Sequence, residues 1–261
     1  MQVDDAAAAP VVAAGDEKRD VSGIAADFAH GNVLARHRHR RAQLVYAIEG
    51  VMTVQTSSGL WVVPPLRALW VPPGVVHSIR MTGSVRMRTL YFTARVLPSA
   101  APKRCGVLRV SPLLREIATR IAETDAALDE QRQRRLVAVL FDELSAAGVS
   151  ALELPMPSDA RLRKICDALV ADPADSRESA AWARVAAVSE RSLARLFPQQ
   201  TGMTLMRWRQ QLRLLRGLER LGAGDSVTTV AVHLGYASTS AFIQVFRENL
   251  GTTPAKYFRN A

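Results

Sequence analysis

The strongest restriction on this chain is a near-repeat within its last hundred residues. Ala183 is followed by Leu193, Phe197, Gly202 and Thr204, and Ala231 by Phe242, Phe246, Gly251 and Thr253. The last three steps, of four, five and two residues, are the same in both copies. Each copy reads as a short apolar helix with a small Ala, a tight turn, and a second helix capped by Ser189 or Ser238, which is helix-turn-helix grammar. Leu193 with Phe197, and Phe242 with Phe246, lie one turn apart and face inward. The opposite face of each second helix is then open to a DNA major groove. On it lie Arg191, Ala194 and Arg195 in the first copy, and Thr239, Ser240, Gln244 and Arg247 in the second. Arg can bond guanine bidentately and Gln adenine, while Ser and Thr are less selective. An ordinary solvated helix face would carry the same residues, since most protein–DNA contacts go to phosphate rather than bases.

Between the copies, Leu205 to Leu221 reads as one helix, with Leu212, Leu215, Leu218 and Leu221 apolar and Arg207, Arg209, Arg213, Arg216 and Arg220 around them. At 1.5 Å per residue it spans ~26 Å, enough to hold two recognition helices about one DNA turn apart. It reads equally as an amphipathic core helix with solvated arginines. Lys plus Arg number 34 against 24 Asp plus Glu, a net charge of +10, which favours a polyanionic partner, nucleic acid or an anionic membrane. No apolar run approaches the ~20 residues of a membrane helix, and no hydrophobic anchor accompanies the arginines, so a membrane-surface role has little support. Cys105 and Cys166 lack metal-ligand spacing. Neither a disulfide framework nor a zinc finger is therefore suggested, and a reducing, cytoplasmic setting fits.

A length of 261 residues suits two domains. Residues 1–21, Ala-rich with Asp4, Asp5, Asp16 and Glu17, lack the order of a signal peptide and read as a disordered tail. From 22 to 98, short β-branched and aromatic runs alternate with turn signals. Val51 to Thr56 ends at Ser57-Ser58-Gly59, Leu60 to Val63 at Pro64-Pro65, Ala68 to Val71 at Pro72-Pro73-Gly74, and Val85 to Thr93 follows Gly83. Such a series predicts a small antiparallel barrel or sandwich. Residues 99–154 read as a helical connector with two amphipathic helices, one through Leu113, Leu114, Ile117 and Ile121 and one through Leu136, Val139, Leu140 and Leu144. Leu136, Leu140 and Leu144 form a stripe that suits either a homodimer interface or packing on the β domain. The Pro-rich break Leu154 to Ser158 marks a domain boundary, with Ser158 or Asp159 capping the next helix. Residues 155–261 form the second domain, with helix-turn-helix units at about 180–200 and 228–250.

Ser189-Glu190-Arg191-Ser192-Leu193-Ala194-Arg195-Leu196-Phe197, Thr201-Gly202, Leu234-Gly235-Tyr236, Ser240-Ala241-Phe242, Phe246-Arg247 and Thr253-Pro254 together resemble the DNA-binding domain of the AraC/XylS family over about residues 159–259. In that family each recognition helix enters a successive major groove, so the resemblance implies base contacts for Arg191, Ala194, Arg195, Thr239, Ser240 and Gln244. Two departures stand out. Pro198 follows Phe197 directly and predicts a first recognition helix that is short or bent at its C-terminal end. Ala194 offers a methyl group and no hydrogen bond.

A second constellation lies in the β domain: Gly31, then His37-Arg38-His39, Gln43 and Gly50, and further on Pro72-Pro73-Gly74 and His77. It looks like the two cupin motifs, in which two His, a Glu and a later His surround a metal inside a β-barrel. The fit covers roughly residues 31–81, with Gln43 in the Glu position. Strand alternation places His37, His39 and Gln43 on one face and Arg36, Arg38 and Arg40 on the other. Three imidazoles suit one divalent transition metal such as nickel, zinc, copper or iron, and an amide in place of the carboxylate weakens binding and leaves room for an open position. The same residues also suit a barrel that holds an organic effector, or nothing. Trp61, Trp70, Tyr46 and Tyr91 are read as barrel lining or plain core.

The sequence thus predicts an α+β two-domain protein: an N-terminal cupin-like β-barrel with a helical connector, and a C-terminal all-α tandem helix-turn-helix domain. Its expected function is sequence-specific transcription regulation, with duplex DNA, a small-molecule or metal effector and a second copy of the chain as partners. The alternative is a cupin metalloenzyme, of dioxygenase or isomerase type, fused to a DNA-binding tail. Against it, Glu49 is the sole acidic residue near the motif histidines, and His30 and His233 are remote.

Overall fold

A computed structural model describes residues 19–99, 101–123 and 130–259. The stretch 1–18, most of the expected tail, lies outside the described residues. The chain runs β1 (Val21–Phe28), β2 (Val33–His37), β3 (Ala42–Gln55), β4 (Gly59–Val63), β5 (Arg67–Val71), β6 (His77–Phe92) and β7 (Gly106–Arg109). Helices α1 (Pro112–Glu123) and α2 (Glu130–Ala146) precede two short strands, β8 (Val149–Ser150) and β9 (Glu153–Pro155). Helices follow: α3 (Ala160–Ala171), α4 (Ser179–Val185), α5 (Glu190–Thr201), α6 (Leu205–Gly222), α7 (Val227–His233), α8 (Thr239–Leu250) and α9 (Pro254–Arg259). Among the described residues no helix is long and apolar enough to cross a membrane.

The first compact unit takes the residues up to 56 and 63–151. Its antiparallel sheet has the order β1-β6-β3-β5-β7-β8, with β2 also on β6. The spine is β3 and β6, of 14 and 16 residues. β6 runs through Gly83, which the sequence reading took as a turn signal, and β3 runs through Gly50. Gly50 and Gly83 have φ of +79° and +74°, and the β3–β6 register shifts between Ala47 and Glu49 and again between Glu49 and Val51. They are bulge positions, where one strand gains a residue, bends and twists without ending. At Gly50 a Cβ would sit 2.4 Å from the Ser84 carbonyl oxygen, so glycine is required by contact as well as by φ.

One face of this sheet buries Leu44, Tyr46, Trp70, Leu90 and Phe92 against Leu114, Ile117, Ala118 and Ile121 of α1 and Leu140 of α2. Leu136 and Leu144 are half-buried against the same cluster. The Leu136, Leu140 and Leu144 stripe is therefore occupied by packing within its own unit.

The second compact unit takes residues 57–62 and 152–260. A single cut near 154 does not describe it, because β4, inside the stretch read as sensor, pairs antiparallel with β9 through Gly59 and Pro155, Leu60 and Leu154, and Trp61 and Glu153. Periodicity identifies a strand but not its partner, which is why the pairing of β4 with β9 was not legible in the sequence. Helix α6 is central: Trp208, Leu212, Leu215 and Leu218 are buried, and Trp208 donates its indole N–H to the Pro155 carbonyl at 2.7 Å. Of the two candidate caps for α3, Asp159 takes the role by accepting the Arg161 N–H, while Ser158 donates to Gln200 Oε1.

Candidate DNA-binding surface and effector site

The near-repeat is also a repeat in hydrogen bonding. Ser189 and Ser238 cap α5 and α8 by accepting the amides of Ser192 and Ala241, each at 3.1 Å. In the preceding turns, Val188 donates to the Ala183 carbonyl and Tyr236 to the Ala231 carbonyl, each at 3.0 Å. Ala187 and Gly235 occupy matching left-handed positions, with φ of +51° and +69°. The helices end alike: Gly202 and Gly251 are left-handed and donate to the Pro198 and Arg247 carbonyls at 2.8 Å, the usual way of satisfying the last carbonyls.

Leu193, Phe197, Phe242 and Phe246 point inward and are buried, as are Ala183 and Ala231. Arg191, Ala194, Arg195, Ser240, Gln244 and Arg247 are exposed on the outer faces, and Thr239 is half-buried. Gln244 donates to Glu248 Oε1 at 3.0 Å, so a bonded base edge would have to displace that acceptor. The expected shortening at Pro198 does not occur, since α5 continues to Thr201. Proline removes one i to i−4 bond, here to the Ala194 carbonyl. Because Ala194 is exposed, water can satisfy that oxygen and the helix tolerates the loss.

The α6 arginines differ from the solvated set expected of them. Arg213 donates to the Pro173, Ala174 and Gly235 carbonyls. Arg209 donates to those of Asp175 and Arg177. Arg216 pairs with Glu219 at 2.7 Å and reaches the Val170 carbonyl, and Arg220 pairs with Asp225 at 2.8 Å. Arg209, Arg213 and Arg220 brace α6 against its flanking loops and Arg216 reaches α3, whereas Arg207 is exposed.

In the first unit, His37, His39 and His77 converge. Their ligand nitrogens all lie within 4.8 Å of one another, and the ring centroids are 4.4 to 5.5 Å apart. Alternation along a single strand is not what gathers them. His37 ends β2, His39 sits in the connection between β2 and β3, and His77 opens β6 as the register partner of His37. The connection is pinned by the Gly74 amide donating to the His39 carbonyl at 2.8 Å.

His37 Nδ1 lies 2.6 Å from the Ala35 carbonyl and His77 Nδ1 lies 2.9 Å from that of Val75. A carbonyl can only accept, so both Nδ1 atoms carry the proton and both Nε2 atoms keep a lone pair. His39 Nε2 and His77 Nε2 are buried without a hydrogen-bond partner among the described residues. Burial, reinforced by the neighbouring imidazoles, pushes His39 down to about 4, and burial lowers His77 as well. Both are neutral imidazoles at pH 7. Lone pairs without donors, on rings oriented by backbone carbonyls, are what a metal requires. No Asp, Glu or Cys joins the three histidines among the described residues.

Gln43, on β3, is opposite Tyr91 of β6 and donates through Nε2 to Thr89 Oγ1 and to the Tyr91 hydroxyl, each at 3.0 Å. Its Oε1 is buried and unpartnered among the described residues. The Tyr91 ring packs edge-on against His39 at 5.0 Å. Tyr46 and Trp70 belong instead to the core under α1 and α2, and Trp61 lies in the second unit. Thr89 went unnoticed in the sequence, where nothing local ties it to Gln43.

A family model described as an AraC-like ligand binding domain matches residues 20–184, and one described as a helix-turn-helix domain matches residues 182–260. This chain belongs to the AraC family. The HTH-type transcriptional regulator NimR of Escherichia coli K12 is 40% identical over 224 residues, covering 85% of this chain and 81% of NimR. The regulator RipA of Corynebacterium glutamicum is 32% identical over 103 residues, 40% of this chain and 31% of RipA. The transcriptional activator RhaS of Escherichia fergusonii is 32% identical over 147 residues, 54% of this chain and 51% of RhaS. This AraC-family member is accordingly a transcription regulator with a ligand-binding domain ahead of a helix-turn-helix domain. The metalloenzyme alternative finds no support in these relatives.

Proposed function

We propose that this regulator reads its operator with the outer faces of α5 and α8 and responds to a divalent transition metal held by His37, His39 and His77, with Gln43 Oε1 as a fourth donor. The observation that carries the metal reading is the convergence of three imidazoles, two of them oriented by backbone carbonyls through Nδ1, which turns Nε2 into the donor atom. Nitrogen-rich neutral donors favour nickel, zinc, copper or iron(II) over magnesium or calcium. The bound ion would supply positive charge and a bridge between the end of β2, the β2–β3 connection and the start of β6. On the DNA side, Arg191, Arg195 and Arg247 supply charge and guanine-reading forks, Gln244 an adenine-reading amide, Ser240 and Thr239 less selective contacts, and Ala194 a methyl surface.

Calorimetric titration of metal-stripped protein with nickel, zinc, cobalt, copper and iron(II), beside a His37→Ala/His39→Ala variant, tests the effector. Binding by the parent and not by the variant is expected. Absence of binding by both would retire the metal and direct the search to an organic effector, with DNA binding untouched. For the operator face, Arg195→Ala should lower discrimination between operator and random DNA by about 1–3 kcal/mol. An unchanged preference in a competition assay would remove Arg195 from the base-reading set.

A further inference from the structure

The amide of Gln43 has one orientation. Thr89 gives its hydroxyl proton to the Leu44 carbonyl at 3.0 Å, so toward Gln43 it can only accept, and the nitrogen end of the amide must face it. The unpartnered end is therefore the oxygen, on a residue only 2% exposed. Three imidazoles and one amide oxygen add no negative charge, and no carboxylate or thiolate joins the cluster among the described residues. Around it the chain is basic, with Arg36, Arg38 and Arg40 exposed at alternate positions beside His37 and His39. A divalent ion there would keep both of its charges uncompensated by protein, in surroundings where the attraction of an opposite charge far exceeds its value in bulk water. His37 and His39 are themselves half-exposed, so the cluster lies next to solvent although its His39 and His77 Nε2 atoms are buried.

We propose that Gln43, locked by Thr89 and Tyr91, is the selectivity residue of this site: by keeping the donor set neutral it makes the metal-loaded sensor take a small organic carboxylate. The proposal rests on the metal reading given above. It assigns the amide a role in choosing the anion, beyond any role in holding the ion.

Full-length protein loaded with cobalt(II), whose visible bands report its coordination, is titrated at fixed ionic strength with acetate and, separately, with its neutral isostere acetamide. Acetate should shift the bands saturably, at a dissociation constant at least tenfold lower than that of acetamide. Gln43→Glu supplies the missing negative charge and should weaken acetate binding at least tenfold. The parent comparison stands alone if Gln43→Glu fails to fold. Failure of the parent to bind cobalt would overturn the metal reading and this proposal together. Cobalt binding with equal response to acetate and acetamide, or with acetate binding unchanged in a folded Gln43→Glu, would overturn the proposal and leave the metal reading standing.

Discussion

Arg213 commits its guanidinium to the carbonyls of Pro173, Ala174 and Gly235, and so joins α6 both to the loop before α4 and to the turn of the second helix-turn-helix. Removing it strands acceptors that charge-assisted bonds had satisfied. Arg213→Ala is expected to cost about 1–3 kcal/mol in urea unfolding, whereas Arg207→Ala, exposed on the same helix, should stay within about 0.5 kcal/mol. Equal effects would show that the bracing contributes nothing. The two sulfurs differ in the same local way. Cys166 is fully buried, and burial raises its thiol far above the usual range, while Cys105 is half-exposed. Thiolate is the reactive form, so a maleimide should label Cys105 in native protein and reach Cys166 only on unfolding, as mass spectrometry of quenched samples would reveal.

At the scale of elements, the bulge at Gly50 is the most demanding position. Its φ is +79° and the Ser84 carbonyl lies where a Cβ would go, so Gly50→Ala combines backbone strain of about 1–3 kcal/mol with a forced shift of β6. Gly31 has a φ of +84° and nothing within 4 Å; Gly31→Ala should cost the strain alone, and thermal unfolding of the pair measures the difference. These glycines also mark what the sequence could convey. Helix caps are written within three residues of one another, and so Ser189, Ser238 and Asp159 were legible, as was α6, read as Leu205 to Leu221 and found at Leu205–Gly222. Whether a glycine turns a strand or bulges it depends on the partner strand, and that information is not local. The same limit hid the bonds from Gln43 to Thr89 and Tyr91, 46 and 48 residues away. Motif spacing brought out His37, His39 and His77, but the connection that carries His39 and the carbonyls that fix the tautomers required the fold.

For the molecule as a whole, a net charge of +10 joined to the two proposed recognition faces is expected to make association with DNA strongly salt-dependent. If six to ten phosphates are neutralised, raising salt from 50 to 200 mM should weaken binding by roughly 10³–10⁵-fold. A flat dependence in fluorescence anisotropy would contradict a phosphate-anchored mode. Chain connectivity has a separate consequence. Because residues 57–62 fold with 152–260 while 63–151 return to the first unit, the backbone passes between the units three times. One protease nick near residue 151 would therefore sever the helix-turn-helix body from the rest of the chain covalently, yet leave it holding β4 of the other fragment through the β4–β9 pairing. A gene fragment starting at 152 would instead yield a body whose β9 has lost its partner strand, with an open edge that invites pairing with another molecule.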